Sequence, residues 1–187
     1  MAEPSVIPVD AASTARQAPW SEEAEISVLS AMLIDGDAVA RAIETVDDAS
    51  FYRESNRRIF RAMVRLYSRG EVIDVVTLSD ELKSAGELEG AGGMAYLARL
   101  VDAVPTSANI EYHCRILRDK SILRQLIDSA TEIVREAYDA PAGEVDDTLD
   151  RAEQKIFHIA QSSQRQGFVW IKEILWPTFE RIEELQS

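Results

Sequence analysis

Cysteine is nearly missing from this chain: Cys114 is the single one in 187 residues, so no intramolecular disulfide can form. That usage agrees with a reducing cytoplasm. Histidine is almost as scarce. His113 and His158 lack cysteine or acidic neighbours at ligand spacing, which argues against a metal site and for packing or surface roles. No apolar run approaches the ~20 residues of a membrane span. The opening stretch, MAEPSVIPVDAASTARQAP, lacks the basic start and continuous apolar core of a signal peptide and is expected to be a flexible tail. Positive charge is in short supply too: 20 Lys+Arg face 33 Asp+Glu, a net charge of −13. Both halves of the chain are acidic, so a strong sequence-independent pull toward a phosphate backbone is not expected, and direct DNA binding by this chain is disfavoured.

Catalytic patterns are missing as well. EGAGGMAYL places three glycines ahead of a helix, superficially like a phosphate loop, but the lysine and Ser/Thr that complete a P-loop are not there. A helix–helix turn needing positive φ is the better reading. Cys114 has no visible base and sits on an apolar helix, as a small core residue would. No nucleophile–base–orienter set emerges, so the chain reads as non-catalytic.

Helical periodicity runs through nearly the whole sequence, and 46% apolar content is ample for a core. Ser21 is placed to cap a first helix with Glu22 and Glu23 in its first turn, burying Ile26, Leu29, Met32 and Leu33 and stopping at Asp35-Gly36. Asp37 is expected to cap a short second helix through Ile43 and Val46. DDASFYRESNRRIFRAMVRLYSRG holds a turn at Phe51-Tyr52, then a helix on the stripe Ile59, Phe60, Met63, Leu66 and Tyr67. EVIDVV reads as an extended connection. Thr77 is expected to cap LSDELKSAG, with Asp80 as the acid of a capping box. After ELEGAGG, MAYLARLVDA forms another helix closed by Pro105.

From Ser107 to Asp139 there is neither glycine nor proline, which predicts one helix roughly 50 Å long. It carries Ile110, Leu117, Leu123 (or Ile122), Leu126, Ile127, Ile133 and Val134. DAPAG reverses the chain, and a return helix of about 20 residues presents Val145, Leu149, Ala152, Ile156 and Ile159. The result is an αα-hairpin whose arms differ by about 15 Å. Its base can pack on a head domain. The rest of its apolar stripe needs a second chain, and an antiparallel pair of hairpins would bury it. The expected interface residues are Ile110, Leu117, Leu123, Leu126, Ile127, Ile133, Val134, Ile156 and Ile159. The expected organisation is all-α: a tail over 1–20, a helical head over 21–104, a dimerising hairpin over 105–166 and a detached helix over 167–187.

Two further patterns concern partners. Arg53, Arg57, Arg61, Arg65 and Arg69 recur every four residues and form one cationic ridge, with Arg58 beside them. It either pairs with neighbouring acidic helices or docks an acidic partner. After the polar linker SSQRQG, Ile171, Ile174, Leu175, Phe179 and Ile182 follow helical spacing, with Trp170 and Trp176 adding apolar surface. Pro177 is tolerable within a turn of the helix start. A detached amphipathic helix of this kind binds another protein surface.

Taken together, SEEAEISVLSAML, then FYRESNRRIFRAMVRLYSRGEVIDVVTLSDEL, then GGMAYLARLVDAVPTSANIEYHCRILRDKSILRQLI resemble the N-terminal region of the bacterial replicative DNA helicase, the DnaB family, over residues 19–187. Asn56 stands where histidine is frequent, and Ser30-Ala31 where Gly-Gly is frequent. The resemblance implies an N-terminal domain plus linker helix, ending where a RecA-like ATPase domain would begin. It implies pairing through the hairpins and assembly as a trimer of dimers, a collar on which primase docks and which in some bacteria meets loading or initiation factors. It implies a linker helix packed on the next subunit's ATPase domain, and a cytoplasmic protein at replication forks. ATP, magnesium and DNA would belong to the part of the helicase not present in this chain. A free-standing acidic helical adaptor is the alternative, distinguished by whether the gene continues into a Walker A motif.

Overall fold

A computed structural model describes residues 17–103, 106–141 and 143–163. As the periodicity predicts, these residues are helical, with no strand among them. The helices are α1 (Glu22–Ile34), α2 (Gly36–Thr45), α3 (Glu54–Ser68), α4 (Val75–Ser84), α5 (Gly93–Ala103), α6 (Ile110–Asp139) and α7 (Val145–Ser163), with a single 3-10 turn at Asp48–Ser50. The detached helix expected over 167–187, with Ile171, Ile174, Leu175, Phe179 and Ile182, lies outside the described residues, as does most of the expected tail.

Helix α1 lies at the centre of the head and touches α2, α3, α5 and α6. Ser21 caps it, accepting from the Ala24 amide at 3.3 Å. Being central, it is buried on more than one stripe. Ala24, Val28 and Ala31 are covered along with Leu29, Met32 and Leu33, whereas Ile26 is only partly buried. Around it pack Phe51, Ile59, Met63, Leu66, Leu97 and Leu100, and Leu78 and Leu82 of α4 extend the same core through α3 and α5. Tyr67, expected in this core, is instead exposed at the end of α3.

Two caps differ from expectation for the same reason: the acid just before each helix outcompetes the residue just inside it. Asp35, not Asp37, caps α2, accepting from the Asp37 amide at 3.0 Å. Asp74, not Thr77, caps α4. Its carboxylate accepts from the Val76 and Thr77 amides at 2.8 Å, and the Thr77 hydroxyl accepts from the Asp74 amide at 3.0 Å, completing a capping box. The helix therefore begins at Val75, inside the stretch expected to be extended. The triple-glycine loop is a turn: Gly92 has φ +98°, and a Cβ there would lie 2.8 Å from the Cβ of Tyr96.

The N-terminus of α3 has no cap of its own, because its N-cap residue, Arg53, makes no side-chain cap bond. Glu25 of α1 supplies one from across the core. Its carboxylate accepts from the Tyr52 amide, from the Arg53 amide at 3.4 Å and from Asn56 Nδ2 at 2.7 Å. Asn56 Oδ1 in turn accepts from the Tyr96 hydroxyl at 2.8 Å. Glu25 and Asn56 are 1% and 0% exposed. One buried chain of hydrogen bonds thus ties α1, α3 and α5 together, with a negative charge at the positive end of α3.

Candidate interaction surface

Helix α6 begins inside the head. Ile110, Cys114, Leu117 and Ser121, spaced four, three and four, are all buried. Ile110 and Leu117, expected on the hairpin interface, are thus consumed by the core of their own chain. Asp35 secures the approach, since its Oδ2 accepts from the Ser107 hydroxyl at 2.6 Å and pairs with Arg41 at 3.1 Å. The Ser107 hydroxyl and the Asp37 amide hold the Asp35 carboxyl below its ordinary value.

A second clamp sits at Arg124, one turn beyond Ser121. The Arg124 guanidinium donates to the carbonyls of Pro19 (2.9 Å), Ala49 (3.1 Å) and Ser50 (2.8 Å) and lies over the Tyr52 ring. Trp20 packs on Tyr52, with Arg53 over its ring. Pro19 and Trp20 therefore belong to the head rather than to the expected tail. A cleft of about 640 Å³ opens beside the clamp, lined by Tyr52, Arg57, Arg124 and Ile127 among others. Nothing in the sequence marked Arg124 as special. Glu25 left a faint signal, a charged residue inside the otherwise apolar run AEISVLSAML.

Beyond Arg124 the helix leaves the head, and α7 returns antiparallel to it. Lys155 of α7 sits between Glu132 (2.8 Å) and Glu136 (2.7 Å) of α6, and Arg151 reaches Glu136 at 3.9 Å. The α6 face toward α7 carries Ser129, Ile133 and Glu136, all partly buried, and α7 answers with Thr148, Ala152, Lys155 and the buried Ile159, whereas Ile122 lies beside α2. This inner seam is small and half polar. Of the expected interface residues, Ile133 and Ile159 lie on it.

Most of the hairpin's large apolar side chains point outward. Leu123, Leu126, Ile127, Val134 and Ile156 are 42–56% exposed, and Tyr138, Val145, Leu149 and Phe157 are exposed as well. On α6, Leu123, Ile127, Ala130, Val134 and Ala137 alternate spacings of four and three, the repeat of a coiled-coil seam. With arms of 30 and 19 residues, α6 outreaches α7 by about 16 Å. The hairpin thus keeps its weak face inside and offers its strong face to solvent.

The arginine ridge is charge-matched within the chain. Arg53 pairs with Glu22 (2.7 Å), Arg57 with Glu54 (3.9 Å), Arg61 with Glu54 (3.1 Å), Arg65 with Glu81 (2.6 Å) and Glu87 (3.2 Å), and Arg69 with Glu71 (2.7 Å) and Glu81 (2.6 Å). Exposed pairs of this kind add little stability. Their effect is to cancel the ridge's field. The two histidines lie apart: His113 packs edge-on to Tyr112 near the head, and His158 lies opposite Gln125 and Asp128, about 18 Å further along the hairpin. Cys114 is buried, and that burial, reinforced by Glu111, pushes its thiol up to about 12.

The DnaB-like helicase N-terminal domain family matches residues 17–119. The chain is 43% identical over 169 residues to the replicative DNA helicase DnaB of Geobacillus stearothermophilus, covering 90% of this chain and 37% of that protein. It is 41% identical over 172 residues to the replicative DNA helicase DnaC of Bacillus subtilis (strain 168), covering 92% and 38%. The chain thus spans little more than a third of the length of these relatives. Among solved structures, it superposes with a TM-score of 0.72 on the N-terminal domain of DnaB helicase from Mycobacterium tuberculosis, at 38% identity, covering 76% of this chain and 99% of that one. A DnaB-like replicative helicase, described together with its interactions with primase, shares the fold at a TM-score of 0.67 and 21% identity, covering 89% of this chain and 37% of that one.

Proposed function

The chain belongs to the DnaB-like helicase N-terminal domain family, and from that premise we propose that it is the assembly and recruitment part of a replicative helicase. In this reading the head is a rigid base, and the hairpin joins copies of the chain into dimers and, through them, into the hexameric collar. The collar docks primase during DNA replication, and a loader or initiator meets the same region. ATP, magnesium and DNA engage the remainder of the longer protein.

The observation that carries this reading is the inverted hairpin. Two helices folding for their own sake would turn Leu123, Ile127, Val134, Leu149 and Ile156 toward each other. Here those side chains are exposed, while the inner seam holds only Ile133, Ala152 and Ile159 among the polar Ser129, Glu136, Thr148 and Lys155. An outward apolar stripe at heptad spacing is what a second helix pair needs.

Sedimentation velocity of the chain and of Ile127→Asp tests it. The parent is expected to self-associate. Aspartate in the seam places an unpaired charge where a methyl-rich surface was, and is expected to weaken association at least a hundredfold, about 3 kcal/mol. Loss of self-association should remove primase binding with it. A variant that sediments like the parent places the assembly surface elsewhere.

A further inference from the structure

The hairpin is electrically lopsided along its length. Its foot, residues 111–125, holds four basic residues (Arg115, Arg118, Lys120, Arg124) against two acidic ones (Glu111, Asp119). Its tip, residues 136–150, holds six acidic residues (Glu136, Asp139, Glu144, Asp146, Asp147, Asp150) and no basic one. Glu136 is paired with Lys155, but the other five tip carboxylates make no ion pair among the described residues. Neither do Arg115 and Lys120 at the foot, and Arg124 is held by carbonyl oxygens without a carboxylate partner. The ridge on the head shows how completely this chain can match its charges. At the two ends of the hairpin Asp139, Asp146, Asp147, Arg115 and Lys120 are left unmatched.

The outward stripe has a centre. Ile127 and Val134 lie three residues before and four after Ala130, and Leu123 and Ala137 lie seven to either side. An antiparallel pairing through a two-fold axis near Ala130 sets Ile127 against Val134 and Leu123 against Ala137, with the smallest side chain where the helices cross closest. Lys120 is ten residues before that centre, about 15 Å along the axis, and Asp139 is nine after it, about 14 Å. Asp146 and Asp147, in the first turn of α7, lie at about the level of Asp139.

We propose that the charge polarity of the hairpin selects the orientation in which two copies pair. The acidic tip of one copy, carrying Asp139, Asp146 and Asp147, sits against the basic foot of the other, carrying Arg115, Lys120 and Arg124. The apolar stripe supplies adhesion that is nearly indifferent to direction. The tip carboxylates exclude the parallel alternative, in which five unpaired acids would lie beside five. This inference rests on the proposal that the hairpin is the pairing surface.

Charge reversal in the full chain tests it, using Lys120→Glu, Asp147→Lys and the double swap, each checked for helicity by circular dichroism. Both sites are exposed or partly exposed, so folding is not at stake. Because a two-fold interface repeats each contact, each single reversal is expected to raise the dimer Kd about fivefold to tenfold at 50 mM salt and much less at 500 mM. The double swap should return to within about twofold of the parent. Orientation is read directly by oxidising a mixture of Leu123→Cys and Ala137→Cys chains, which should cross-link as mixed pairs rather than as Ala137→Cys homodimers. If the single reversals dimerise like the parent while Ile127→Asp is monomeric, the pairing surface stands and the electrostatic selection is overturned. If Ile127→Asp is dimeric as well, the surface itself is wrong. Cross-linked Ala137→Cys homodimers would overturn the antiparallel arrangement.

Discussion

Replacing Glu25 with alanine isolates the buried network that holds the head together. The carboxylate is 1% exposed and accepts from two backbone amides at the start of α3 and from Asn56 Nδ2 at 2.7 Å. Alanine leaves Asn56 Nδ2 without its acceptor in a buried site, and strips α3 of the cap that Glu25 supplies. The long Arg53 bond, at 3.4 Å, contributes least. Hydrogen bonds to a charged group contribute about 1.5–3 kcal/mol each, and an orphaned buried donor costs about 1–3 kcal/mol. The two close donors overlap in this account, since part of each bond's value is the desolvation that alanine would expose. The expected loss is therefore about 3 kcal/mol. For a domain of this size each kcal/mol moves Tm by about 2–4 °C, so the variant should melt about 6–12 °C below the parent when followed at 222 nm. Glu25→Gln keeps the volume and one acceptor and should lose about half as much. Asn56→Ala breaks the same chain from its other side, so the double variant should fall short of additivity by at least about 1 kcal/mol. A Glu25→Ala melt within about 2 °C of the parent, or full additivity with Asn56→Ala, would refute the claim that this network joins the helices.

Two further outcomes can be measured on the same material. With its thiol pushed up to about 12 and its side chain buried, Cys114 should resist aromatic disulfide reagents at pH 8, reacting only as fast as the head unfolds and promptly in denaturant. Rapid labelling of the native protein would contradict the packing of α6 on α1. The carboxyls of Asp35, Asp74, Glu81 and Glu132 are all held below their ordinary values, by the Ser107 hydroxyl, the Thr77 amide, the Arg69 guanidinium and the Lys155 ammonium respectively. Depressed carboxyls contribute stability that is fully present above their unfolded values of 3.8–4.5 and is lost as pH falls through the folded ones. The melting temperature should therefore be level between about pH 5 and 7 and fall below about pH 4. The deficit of Asp35→Asn relative to the parent should be largest at neutral pH and shrink on acidification; a deficit constant down to pH 2.5 would exclude the electrostatic origin.

The helices themselves were plain in the sequence because apolar spacing near 3.6 survives wherever one face is buried. It failed in instructive places. Helix α1 touches four others, so its burial follows no single stripe, and Ile26 looked more central than Ala24 or Ala31. Glu25 stood next to Glu22 and Glu23 as one more first-turn acid; its role depends on Tyr52 and Asn56, about thirty residues away, and no local pattern carries that. Asp37 and Thr77 looked like caps because they open apolar runs, yet Asp35 and Asp74 stand at the residue whose backbone is already extended. On α6, spacing alone marked the apolar positions but not their direction. Ile110 and Leu117 go into the head, Ile133 faces α7, and Leu123, Ile127 and Val134 face outward. The division depends on where α7 and the head sit around the helix. Arg124 is typical of unreadable function: its partners are carbonyls, which every residue has.

Because α6 runs unbroken from the buried Ile110 to Asp139, the core of the head and the far end of the hairpin are two ends of one stiff rod. From Ser121, the last buried residue, to Asp139 is about 27 Å. A tilt of about 5° at the foot would displace the far end by about 2.4 Å, half the spacing of a helix turn. Such a tilt could arise from a change at the Asp35–Ser107 bond or at the carbonyls held by Arg124, and neither would touch the outward stripe. The stripe would still arrive out of register with its counterpart. Residues outside the stripe therefore set the angle at which it is met, and a substitution at Ser107 acts at a distance through geometry alone.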